Sequence, residues 1–345
     1  MTADQKSANA AIVKPAADDA NVSDGIAAPG AIAVPDGVSA PPSRPLSRRL
    51  TMSALRIAAG VAFIYMVAVV LLFYYHPRLI YHPSRNIPVT PGDIGAIYTD
   101  LWLTTPDGVK INAWLVPAMP QTACGLTLLM FHGNAGNLHS IMPSSLMFRN
   151  MGFDFFAIDY HGFGKSGGEP SEEAIYQDAE AAWNYLTGTR GVPPGQIVIL
   201  GRSLGGGPAA WLAERHPEAG GLILESTFTS LGDAAANLMP LFPARLIVGK
   251  QFETLGRMAN IRIPLLVVHG DGDRLIPFSH GEQLFAAHFG QKAFVKIEPD
   301  HNTGYLRGPE YGDGIRDFIK TLPAWNGKDS RDFFRSSWRI VRMGN

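Results

Sequence analysis

The chain has a single cysteine, Cys124. An intrachain disulfide and a cysteine-rich metal site are both excluded, while the redox compartment stays open. Net charge is lacking too: 29 Lys and Arg against 30 Asp and Glu leave −1 over 345 residues. No bulk field favours acidic partners, and no basic stripe precedes the C-terminus, so no nucleic-acid partner is expected. Residues 1–47 have no aromatic side chain and are rich in Ala, Pro, Gly, Ser and Asp. Such a composition buries too little surface to offset chain entropy, so 1–50 reads as a disordered N-terminal segment.

Charge is missing from one further stretch. Residues 57–75, IAAGVAFIYMVAVVLLFYY, carry none, with Arg56 before them and Arg78 after. At about 1.5 Å of rise per residue they nearly cross a hydrocarbon core of about 30 Å. Apolar residues occupy every face, which argues against a core helix with one buried stripe. A cleaved signal peptide is the other rival. It would need a shorter charged lead and a prompt A-x-A site. We therefore expect a transmembrane anchor at 54–75. Arg44, Arg48, Arg49 and Arg56 precede the charge-free run 57–75, against only Arg78 and Arg85 nearby after it. The positive-inside bias places the N-terminus in the cytoplasm and the main domain on the outer, periplasmic or lumenal side.

From about residue 90 to 325 the pattern is that of one globular domain. YTDLWLTT (98–105) and KINAWLVP (110–117) flank Pro106-Asp107-Gly108 and predict a hairpin. Short apolar runs follow at 126–131, 153–158, 197–200, 222–224, 265–268 and 294–297. Helical patterns alternate with them. The clearest is 171–187, with Ser171 as N-cap, Glu172 and Glu173 in the first turn, and Ile175, Ala179, Ala182, Trp183 and Leu186 on one face. Short strands alternating with helices predict an α/β fold with a mostly parallel sheet covered on both faces.

In such sheets, ligands gather where strands end. HGNAGN (132–137) follows the run at 126–131, and GRSLGGG (201–207) follows that at 197–200. HGDGDRLIP (269–277) and EPDHNTGY (298–305) follow the last two. GRSLGGG contains G-x-S-x-G. A serine on a sharp strand-to-helix turn requires small residues two before and two after it, here Gly201 and Gly205. The stretch fits neither the phosphate loop G-x-x-x-x-G-K-[ST] nor G-x-G-x-x-G. Ser203 is then a nucleophile, and it needs a base and an orienting acid. His301 follows the last strand. His132 and His269 sit in H-G pairs that suit turn support, whereas His139, His216, His280 and His288 read as helical and solvated. Asp273 is the acid we favour, with Asp271, Asp300 and Glu225 as rivals. Asp271 and Asp273 could also begin a Ca²⁺ loop, but the later ligands of such a loop are missing. The order Ser203, Asp273, His301 is that of α/β-hydrolase sheets. Oxyanion donors are expected at the Leu204 and Asn134 backbone N–H groups. Asn134 could instead serve only the turn.

FHGNAGN, DYHGFGKSGGEPSEEAIYQDAEAAWNYL, GRSLGGG, ESTFTS, the Asp273 loop and HNT resemble the BEM46/ABHD13-like branch of the α/β-hydrolases. The ABHD17 depalmitoylases are more distant. The likeness spans about Leu79 to Leu322, with RLIYHP following the anchor. It implies an α/β-hydrolase fold, often with one N-terminal membrane anchor, and the same triad: Ser203, Asp273 and His301. His161 departs from the pattern, since relatives usually carry arginine there, and this touches loop packing more than chemistry.

Between ESTFTS and the strand at 265, residues 231–262 read as a small cap or as ordinary core. An apolar cap beside an anchor suits an acyl chain. The tail at 326–345 mixes Arg331, Arg335, Arg339 and Arg342 with Phe333, Phe334, Trp338 and Ile340. It suits an anionic membrane surface, a docked helix or a disordered end. The expected function is a membrane-anchored serine hydrolase acting on a small-molecule or lipid-like acyl ester or thioester, with no metal or organic cofactor. A serine peptidase and a non-catalytic binding module on the same fold are the alternatives.

Overall fold

The computed structural model describes residues 46–298, 300–302, 304 and 308–327. Most of the segment expected to be disordered, and the tail from 328, lie outside the described residues.

The hairpin forms as Thr99–Thr104 (β1) and Lys110–Val116 (β2), paired antiparallel. The apolar runs become Thr127–Phe131 (β3), Asp154–Ile158 (β4), Ile197–Arg202 (β5), Gly221–Glu225 (β6), Leu265–Gly270 (β7) and Lys292–Ile297 (β8). They build one sheet in the order β1-β2-β4-β3-β5-β6-β7-β8. From β4 to β8 every pairing is parallel, while β2 runs antiparallel to both neighbours. The central strands are buried on both faces, so their side chains alternate between two cores. Leu129, Phe131, Ile197 and Ile199 enter one, and Leu128, Met130, Val198 and Leu200 the other. Each such side chain contributes about 1.5–3 kcal/mol by leaving water.

The long N-terminal helix is Leu46–Ile80 (α1), and Leu50–Ile80 is apolar and long enough to cross a membrane. It exceeds the expected 54–75 at both ends. The charge-free window marks only its apolar part, and neither Arg56 nor Pro77 ends the hydrogen-bonded spiral. Met142–Met151 (α2) covers the second core, and Glu172–Asn184 (α3) and Gly206–Arg215 (α4) cover the first. Ser171 caps α3 as expected, its hydroxyl accepting the Ala174 N–H at 3.1 Å. The α-helix stops earlier than 187: Tyr185–Thr189 form a π-helical turn. There Thr187 Oγ1 donates to the Trp183 carbonyl at 2.9 Å, competing with the backbone ladder.

Residues 231–262 contain three short helices, Leu231–Leu238 (α5), Ala244–Val248 (α6) and Thr254–Met258 (α7). Phe278–Ala287 (α8) and Pro309–Ile319 (α9) complete the fold. Two histidines expected to be solvated are buried. His280 turns inward from α8 onto Thr229 and Asn237, and His288 is fully enclosed just past the helix end.

Candidate active site

The turn from β5 into α4 carries Ser203 with φ +53, in the left-handed region that costs a side-chain-bearing residue energy. Its neighbours are glycines because nothing larger fits. A Cβ on Gly201 would overlap the Gly205 carbonyl and the Ala209 methyl, and one on Gly205 would overlap the Phe131 carbonyl. Thr227 Oγ1 donates to the Ser203 carbonyl at 2.6 Å and braces the strained turn. The sequence offered Thr227 only as part of ESTFTS. Gly206 and Gly207 allow other close approaches: the Thr227 side chain lies against Gly206, and the Phe252 ring against Gly207. The neighbour of Gly207 thus comes from between α6 and α7.

Asp273 and His301 lie on the loops after β7 and β8, and the sheet brings both to Ser203. His301 Nδ1–H donates to Asp273 Oδ2 at 2.6 Å, and Nε2 lies 3.0 Å from Ser203 Oγ. The other carboxylate oxygen of Asp273 accepts the N–H groups of Leu275 and Ile276 at 2.9 and 3.0 Å. Burial by itself would raise this carboxyl's pKa. The His301 partner and the two N–H bonds outweigh it, so the Asp273 pKa falls below the ordinary carboxylate value. The rival carboxylates are engaged elsewhere. Glu225 pairs with Arg202 at 2.7 Å and accepts from Tyr311 at 2.8 Å, and Asp271 pairs with Lys296. Asp300 takes the Asn302 N–H at 2.8 Å.

The two strand-end histidines support their loops. His269 Nε2 lies 2.9 Å from the Ile276 carbonyl, and its burial lowers its pKa. His132 Nδ1 lies 2.8 Å from the Gly133 carbonyl, and the Tyr160 hydroxyl donates to the His132 carbonyl at 2.7 Å. This clamp fixes the loop holding Gly133 and Asn134, which faces Ser203. Asn134 and Leu204 both line the cavity at Ser203. The Asn134 side chain also reaches away from the site, where its Nδ2 donates to the Ile80 carbonyl at 2.8 Å, at the end of α1. His82 N–H then donates to the Asn134 carbonyl at 2.8 Å, and His82–Pro83 pair with Ala135–Gly136. The end of α1 is thus stitched to the loop beside Ser203.

That stitch explains a feature the sequence hid. The cavity at Ser203 is almost wholly apolar. Leu72, His76, Leu79 and Ile80 of α1 form one wall, and Leu231, Ala235, Leu238, Ile247 and Val248 form the other. Spacing of three and four residues puts Leu72, His76 and Leu79 on one face of the helix. In a stretch apolar on every side, that face has no distinguishing signal. Among the described residues no group of three or more metal-ligating side chains occurs.

His161 shows how its loop packs without the expected arginine. Its Nδ1 lies 2.6 Å from Asp178 Oδ1 and its Nε2 3.3 Å from Asp107 Oδ2. Burial pulls the imidazole pKa down, but Asp178 and then Asp107 outweigh it and raise the value.

Sheet order and the strand–turn–helix serine together define an α/β-hydrolase fold. Residues 127–246 match the alpha/beta hydrolase fold family. The alpha/beta hydrolase domain-containing protein WAV2 of Arabidopsis thaliana is 34% identical over 275 residues, covering 73% of this chain and 89% of that protein. The Saccharomyces cerevisiae membrane protein YNL320W is 30% identical over 271 residues, covering 75% of this chain and 94% of its own. The chain belongs to this family of alpha/beta hydrolase domain-containing proteins. Among solved structures, the Pyrococcus furiosus esterase Pf2001 superposes with a TM-score of 0.61 at 20% identity, over 70% of this chain and 98% of that one. That likeness is one of fold.

Proposed function

We propose that this protein is a membrane-anchored serine hydrolase that cleaves carboxylic ester or acyl-thioester bonds through an acyl-enzyme. One observation carries the reading: a hydrogen-bonded chain runs from buried Asp273 through His301 to Ser203 at an apolar cavity. Ser203 Oγ attacks the acyl carbonyl while His301 Nε2 takes its proton. Backbone N–H groups of Leu204 and Asn134 hold the oxyanion. His301 gives the proton to the leaving alcohol or thiol, and Asp273 keeps the imidazole oriented and stabilises its charged form. Water, activated by His301, then releases the acid. Esterase structures of the same fold agree with this reading, and the motif set favours the BEM46/ABHD13-like branch.

The anchor reading rests on the length and exposed apolar surface of Leu50–Ile80, and a yeast relative named as a membrane protein agrees. Arginine asymmetry puts the N-terminus in the cytoplasm and the catalytic domain on the outer side. A reporter fused after Asn345 and active only in the cytoplasm would contradict that topology. The chemistry is tested with p-nitrophenyl esters and acyl-thioesters of graded length. Turnover by the wild type and none by Ser203→Ala is expected. Equal rates for the two proteins would overturn the assignment.

A further inference from the structure

Residues 238–248, LMPLFPARLIV, hold one charge, Arg245, and Asp233 neutralises it at 2.6 Å. Leu241 and Leu246 stand 81% and 82% exposed, and Leu238 53%. Residues this apolar seldom cluster in water without an apolar partner. The partner is indicated by where the segment touches α1. Tyr65 Oη donates to the Leu241 carbonyl at 2.9 Å, and the Tyr65 and Phe242 rings stack at 5.6 Å. Tyr65 is the ninth of the nineteen charge-free residues 57–75. It lies ten residues, about 15 Å of helix rise, before Tyr75. If this run crosses a bilayer, the tip of the cap reaches hydrocarbon depth beside it. The Tyr65 bond then has a clear physical use, because a backbone carbonyl exposed to lipid must find a donor inside the protein.

We propose that the α5–α6 tip of the cap is immersed in the outer half of the bilayer, so that the cavity at Ser203 takes its acyl ester laterally from the membrane. This rests on the membrane-anchored hydrolase reading above. The geometry joins the two ends of the route. Leu238 and Ile247 flank the exposed tip and line the cavity, and Leu72 and Leu79 of α1 close its other side. An acyl chain moving along α1 meets mostly apolar side chains, with His76 the polar exception on that wall, before its carbonyl arrives at Ser203. The substrate class is a membrane-resident lipid acyl ester or thioester. A water-soluble short-chain ester would use the same nucleophile without the tip.

The test uses the full-length protein in phosphatidylcholine vesicles. Single cysteines carrying an environment-sensitive fluorophore are placed by Leu241→Cys, Leu246→Cys, Phe63→Cys in α1, and Glu218→Cys before β6, at the strand ends opposite Ser203. Native Cys124 is fully buried and its thiol pKa is pushed up to about 11, so it labels poorly. Blue-shifted emission and quenching by spin-labelled acyl chains are expected at 241, 246 and 63, and not at 218. If 241 and 246 match 218 while 63 is quenched, the anchor stands and the immersed tip is refuted. If 63 also matches 218, the anchor reading fails and the proposal with it. A second arm pairs Leu241→Asp with Leu246→Asp. Carboxylates facing lipid should lower hydrolysis of vesicle-embedded long-chain ester by more than about tenfold, and leave p-nitrophenyl acetate turnover unchanged. Equal loss on both substrates contradicts lateral entry. Absence of any Ser203-dependent turnover would instead refute the hydrolase reading.

Discussion

Two histidine–aspartate pairs in this molecule begin alike and end differently. In both, an imidazole Nδ1 lies 2.6 Å from a carboxylate whose side chain is fully buried: His301 on Asp273 and His161 on Asp178. The difference is the third partner. His301 turns Nε2 to the Ser203 hydroxyl, a group with a proton to give. His161 turns Nε2 to the Asp107 carboxylate, which only holds charge. The first pair faces a hydroxyl that can give up a proton, and the second faces a carboxylate that favours the charged imidazole and ties down a loop. The residue pair does not define a site by itself; what the free nitrogen faces does.

That contrast can be broken most sharply at Ser203. Ser203→Ala is expected to lower kcat for ester hydrolysis by about 10⁴-fold or more with the fold intact. Steady-state kinetics with circular dichroism checks both parts. Asp273→Asn keeps the shape but lets the amide favour the wrong imidazole tautomer, and kcat should fall by about 10³- to 10⁴-fold. At the second pair the readout reverses. His161→Leu leaves Asp178 buried without its partner and should cost about 3 kcal/mol of unfolding free energy in urea titration, with kcat unchanged in the folded fraction.

The pairs should also respond at opposite ends of the pH scale. The His161 pKa is raised, so its contribution to stability is whole below the ordinary value of 6.5 and fades as pH rises through the raised one. The Asp273 pKa is lowered, so its contribution is whole above 3.8 and fades as pH falls through the lowered one. Unfolding free energies of wild type against His161→Leu and Asp273→Asn, measured across pH, separate the two. The smallest effect is expected at Thr227→Val. Losing the bond to the Ser203 carbonyl should cost about 1 kcal/mol of stability, with a few-fold fall in kcat as the turn relaxes.

Much of the site was legible because chemistry constrained the residues locally. Gly201, Ser203 and Gly205 declare the turn through sterics, and the strand order in sequence carries Asp273 and His301 to it. The alternating cores were legible as apolar runs, and Ser171 as a cap. Other features depended on distant partners. Leu72 fell inside the expected anchor and His76 and Leu79 just past it, and nothing in so apolar a stretch marked one face for the cavity. Gly207 carried no sign of its close partner, because Phe252 lies forty-five residues later. His280 and His288 read as solvated because burial at a helix end is set by what packs there. His161 read as a departure in loop packing, while its partners Asp107 and Asp178 lie far apart in the chain.

The central claim is that Ser203, activated through His301 and Asp273, is a nucleophile. A fluorophosphonate probe tests it most directly, because it forms a covalent bond only with an activated serine. The account predicts labelling of the wild-type protein and none of Ser203→Ala. Equal labelling of both, or an inert wild type in its folded, membrane-bound form, would contradict it.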